Sequence, residues 1–135
     1  MYDLRWIRDN PDAFDAGLTA RGVAPQAADI LARDVQARAN RTSLQEIQNR
    51  RNELSKQIGA AKSKGEDAAG LIAEVGELKS ALQSGEEVER DLSQALRETL
   101  SGLPNQPEAD VPVGADEEAN VEVRRHGTPP VFDFE

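Results

Sequence analysis

The chain has 135 residues with 16 Lys+Arg against 25 Asp+Glu, a formal net charge of -9, 4% aromatic and 30% charged content. So little apolar material excludes a broad globular core and favours an elongated helical shape. With no cysteine and a single histidine, His126, disulfides, thiolate metal sites and histidine-rich sites are excluded, and no run approaches the ~20 apolar residues that span a bilayer.

The N-terminus "MYDLRWIRDNPDAF" has no basic region followed by an apolar run, so the chain reads as soluble, unexported and cytoplasmic, with no membrane partner. Residues 1–25 read as short helices. They break at "DNPDAF", where Pro11 suits a first helical turn after Asn10 as cap, and Leu4, Trp6, Ile7, Phe14 and Leu18 form a small apolar cluster. A second break falls at "RGVAPQ", with Gly22 suited to a helix C-terminus and Pro25 to the next start.

From about residue 26 to 101 the pattern predicts a long hairpin. Leu44, Ile47, Arg51, Leu54, Ile58 and Ala61 alternate in spacing between three and four, as do Leu71, Val75, Leu78, Leu82, Gly85, Glu89, Leu92, Leu96 and Thr99. That is a heptad seam on each of two helices, weakened locally at Gly85 and Glu89, where the base of the rod is expected to flex. The two helices turn at about residues 62–68, near Gly65, and the first would reach roughly 50 Å at ~1.5 Å per residue. The second helix should stop before "SGLPNQPEADVPVG", whose Gly102, Pro104, Pro107 and Pro112 forbid continuation. Residues 104–135 then read as a linker with a brief alternating strand at Val121 to Arg124. Phe132 and Phe134 have nothing evident to pack on, which reads as the threshold of another domain. The fold class is therefore all-α: a long antiparallel two-helix coiled-coil hairpin, short N-terminal helices and a mostly irregular C-terminal linker.

Charge is unevenly spread. Residues 41–64 carry six Lys/Arg against two Asp/Glu, while residues 65–135 carry five against seventeen. No catalytic constellation accompanies it: there is no phosphate-cradling glycine loop, "GADEEAN" lacks the spacing of a calcium loop, and "GEEVERD" reads as a solvated helix face. No catalytic residue, metal site or cofactor is expected in this stretch of chain. A basic island on an exposed rod suits phosphates, and duplex RNA is recognised mainly through shape and backbone. The opposing reading is a coiled-coil protein-interaction or chaperone-like module without RNA binding, in which these charges are merely solvated.

The order of three motifs decides between them: "MYDLRWIRDNPDAF", then "RRNELSKQIGAAKSKGED", then "LPNQPEADVPVGADEEANVEVRRHGTPPVFDF". Over essentially the whole chain this resembles the N-terminal region of bacterial-type seryl-tRNA synthetases. The resemblance implies that residues 1–103 form an arm that grips the long variable arm and elbow of serine tRNA. It also implies a following class II catalytic domain that attaches serine using ATP and Mg2+, and a homodimer in which one subunit's arm serves the other's active site. By the same resemblance Arg50, Arg51, Asn52, Ser55, Lys56, Lys62, Ser63 and Lys64 are the candidate tRNA contacts. One departure is His126, where the family leads one to expect an aromatic such as Trp.

Overall fold

The computed structural model describes residues 2–133. Among them four α-helices follow one another: α1 (Leu4–Asp9), α2 (Pro11–Ala20), α3 (Ala27–Lys64) and α4 (Ala69–Gly102), with a single 3₁₀ turn at Glu117–Ala119. Among the described residues there is no strand. α3 and α4 pack along each other as an antiparallel hairpin, and α1 and α2 pack on α3 at its base. With 38 residues, α3 extends about 57 Å at ~1.5 Å per residue.

The core lies at the base. Ile7, Phe14 and Leu18 from the short helices are fully buried, and they cluster with Ala27, Ile30, Ala37, Leu96 and Leu100. Phe14 meets the Tyr2 ring edge-on, with centroids 4.9 Å apart and planes at 86°. The Tyr2 hydroxyl donates to the Pro104 carbonyl, which ties the segment after α4 back to the N-terminus; burial raises its pKa, partly offset by Arg21. Leu4 packs against the cluster, but Trp6 stays 37% exposed, because on so short a helix the stripe that meets α3 holds Ile7 and leaves its neighbour facing outward.

Chain reversals follow local rules. Asp15 accepts from the N–H groups of Gln26 (2.8 Å) and Ala27 (2.9 Å) and so satisfies donors at the start of α3. Asn10 stands before Pro11 as expected, but its side chain donates to Trp6 O at 3.1 Å and does not cap α2. α4 runs on through Ser101 and Gly102, since the first proline that forbids helix is Pro104.

Above the base, the seam burial matches the heptads. Leu44, Ile47, Arg51, Leu54, Ile58 and Ala61 on α3, and Leu71 through Thr99 at alternating steps on α4, are all buried or half-buried. Leu44, Arg51 and Ile58 then occupy position a and Ile47, Leu54 and Ala61 position d; on α4 Val75, Leu82 and Glu89 are a, and Leu78, Gly85 and Leu92 are d.

Among its described residues the linker has no regular structure beyond the 3₁₀ turn, which falls within "GADEEAN" and is capped by Asp116 accepting from Glu118 N–H at 3.1 Å. The strand expected at Val121 to Arg124 does not form. A lone extended segment has no neighbour to pair its backbone groups, so water takes them. Phe132 is 64% exposed, and Phe134 lies outside the described residues.

Candidate nucleic-acid interface

The hairpin tip is closed by a glycine. Gly65 adopts φ 75°, ψ 18°; its N–H donates to Lys62 O at 3.2 Å and the Glu66 N–H to Ala61 O at 2.9 Å. This paired arrangement satisfies the last carbonyls of α3 and needs a residue at ease in the left-handed region. Asp67 then accepts from Ala69 N–H at 2.9 Å, starting α4. Lys62 and Lys64 stand beside the reversal, both exposed.

The eight candidate residues do not share one environment. Arg51 is half-buried at a seam position. Arg50 sits at position g and reaches across the hairpin, its guanidinium 2.8 Å from Glu74 Oε1 and 3.9 Å from Glu53 on its own helix. Asn52, Ser55, Lys56 and Ser63 are exposed. Asn52 accepts from Gln48 at 3.4 Å, Ser55 donates to Arg51 O at 2.9 Å, and Ser63 to Ala60 O at 2.8 Å. Lys56, Lys62 and Lys64 form no ion pair among the described residues. Arg51 and Lys62, eleven residues apart, therefore differ sharply: one is built into the seam, the other stands free in water.

Farther down, the positions that looked like gaps in the seam form a polar layer. Gly85 admits the Leu44 side chain, whose Cδ2 would stand 2.6 Å from a Cβ placed there. Asn40 donates to Gly85 O at 3.0 Å, and Arg41 donates to Glu89 Oε1 at 2.6 Å. Glu89 also accepts from Asn40 at 3.4 Å and from Ser93 at 3.2 Å. Burial pushes the Glu89 carboxyl up, but these donors and the Arg41 charge outweigh it and hold its pKa below the usual value. At the base, buried Asp34 is held between Arg8 (3.2 Å) and Arg38 (3.1 Å), which fastens α1 to α3.

The helices differ in charge. α3 carries eight Lys/Arg against four Asp/Glu and α4 three against seven. Reasoning anchored on the tip passes over Lys79, an exposed cation on α4; its heptad position, e, is the signal that locates it.

Comparison with known proteins gives one consistent picture. Residues 1–107 match the model of the seryl-tRNA synthetase N-terminal domain. The serine-tRNA ligase of Paramagnetospirillum magneticum is 51% identical over 134 residues, covering 99% of this chain and 32% of that protein. That of Rhodospirillum centenum is 54% identical over 129 residues, covering 96% of this chain and 30% of the relative. The crystal structure of seryl-tRNA synthetase from Pyrococcus horikoshii complexed with ATP superposes with a TM-score of 0.83 at 30% identity, over 92% of this chain and 28% of that one. The chain thus spans about a third of the length of the relatives it matches.

Proposed function

Because this chain belongs to the seryl-tRNA synthetase N-terminal domain family, we propose that it is the arm by which a cytoplasmic serine-tRNA ligase grips serine tRNA at its long variable arm and elbow. The observation that carries this reading is the exposed basic stretch of α3 at the end of a long rod in a protein of net charge -9. Acidic surfaces elsewhere repel a polyanion, so the rod's basic part is where it settles. Residues 104–135 lead toward a class II catalytic domain, which attaches serine with ATP and Mg2+. The full-length enzyme works as a homodimer in which each arm presents tRNA to the other subunit's active site. Within the arm, Asn52, Ser55, Lys56, Lys62, Ser63 and Lys64 supply contacts to the RNA backbone, while Arg50 and Arg51 act mainly by holding the hairpin.

A gel-shift of the 135-residue chain against serine tRNA, and against the same tRNA with its variable arm deleted, tests the reading. Binding is expected to the first and strongly reduced to the second. Equal affinity for both would mean that the rod engages some other feature of RNA.

A further inference from the structure

The chain leaves α4 still fastened to the base. Leu103 packs against the core cluster, the Pro104 carbonyl accepts from the Tyr2 hydroxyl, and Gln106 Nε2 donates to Ala13 O of α2 at 2.9 Å. Then the fastening stops. From Glu108 to Arg125 hydrogen bonds join only near neighbours within the linker. An open cavity of about 640 Å³ lies between Ala20, Arg21 and Gly22 at the end of α2 and the chain from Pro107 to Asn120. Gln106 is therefore the last anchor before this unfastened stretch.

The seat for Gln106 is built into α2. Gly17 lies inside that helix and is buried, and its φ is not positive, so no backbone conformation there calls for glycine. The space does. A Cβ at Gly17 would stand well inside contact distance of Gln106 Nε2, Cδ and Oε1, and its absence lets the amide reach the Ala13 carbonyl one turn back along the helix. Oε1 of the same amide is buried with no hydrogen-bond partner among the described residues. That unpaired acceptor offsets much of what the one hydrogen bond contributes. A contact so balanced sets a direction and still lets go.

We propose that Gln106 is a positioning residue: seated on Gly17, it sets the direction in which the chain leaves the arm toward the catalytic domain, and so presets the angle at which the arm meets serine tRNA. This rests on the reading of the chain as the arm of a serine-tRNA ligase and adds a specific joint to it. With the amide unseated, the linker is held to the base only as far as Pro104, and the arm samples more angles. Binding tRNA must then order it, which weakens binding without touching the chemistry of serine attachment.

Steady-state kinetics of the full-length enzyme and its Gln106→Ala, Gly17→Ala and double variants, alongside hydrogen–deuterium exchange, test the proposal. Gln106→Ala empties the seat and Gly17→Ala fills it, so both should speed hydrogen exchange across residues 103–111 while α2 keeps its protection. Both should raise the KM for serine tRNA about fivefold or more with kcat held. Serine-dependent ATP–pyrophosphate exchange should not change, and the double variant should be no worse than either single one, since both act on one contact. An unchanged KM, unchanged hydrogen exchange in the linker, a loss of pyrophosphate exchange, or losses that add in the double variant overturns the joint while leaving RNA binding standing. A parent enzyme that charges serine tRNA no better than the same tRNA without its variable arm overturns the arm reading itself, and the joint with it.

Discussion

Glycine in a helix has opposite meanings in this molecule depending on what stands beside it. At Gly85 a methyl group would come 2.6 Å from Leu44 Cδ2 and 3.3 Å from its Cγ, and the Leu44 side chain is itself held in the seam. Gly85→Ala gains helix propensity of ~1 kcal/mol, but overpacking of this kind costs about 1–3 kcal/mol. The variant is therefore expected to lose about 1 kcal/mol in urea unfolding and to weaken the Asn40 to Gly85 hydrogen bond; a more stable variant would show that Leu44 can move aside. The role of Gly85 cannot be read from the sequence, where it registers as a missing apolar residue, because its reason is a side chain forty-one positions away. Arg51 shows the converse. Its seam position is plain from the spacing, and burial follows from spacing alone, whereas the diversion of Arg50 to Glu74 depends on which g positions the turn brings together.

At the scale of elements, the long helices were legible because each repeats one rule many times. Seven residues per two turns on both helices predicts the seam, and Gly65 between Lys64 and Glu66 predicts the stop. The short segments were harder. Val121 to Arg124 alternates like a strand but has no partner, and Trp6 belongs by composition to a cluster that the short α1 turns it away from. Asp34, buried at 4% exposure, lies on the face of α3 that meets α1, where hydrophobic spacing cannot recognise it; its meaning comes from Arg8 on that helix. The polar layer offers an element-scale test. Glu89 has a folded pKa below its unfolded value, so its ionised form contributes stability above the unfolded pKa, and that contribution is lost as pH falls through the folded pKa. The hairpin should therefore weaken below about pH 4.5, and Glu89→Gln should remove part of that acid sensitivity while lowering stability at neutral pH. An acid transition identical in the two proteins would assign the sensitivity to other carboxylates.

At the scale of the molecule, the base and the far end of the rod do different work. α1, α2 and the Tyr2 to Pro104 contact gather the aromatic and bulky apolar side chains at one end, which leaves the distal part of the hairpin to be stabilised by a thin seam and to present cations on its surface. No helix among the described residues is long and apolar enough to cross a membrane. Phosphate contacts fix register without reading bases, so Lys56→Gln and Lys62→Gln should weaken binding by similar factors for serine tRNAs whose variable-arm base pairs are exchanged at constant length. Each should also lower the salt slope by ~0.7 to 0.9 per phosphate released. Stability should change by no more than ~0.5 kcal/mol, since both lysines are exposed and unpaired. Affinity measured at several salt concentrations for two such tRNAs separates the possibilities: parallel losses mean that the arm measures the shape of the variable arm, and a loss confined to one tRNA would mean that these lysines reach base edges.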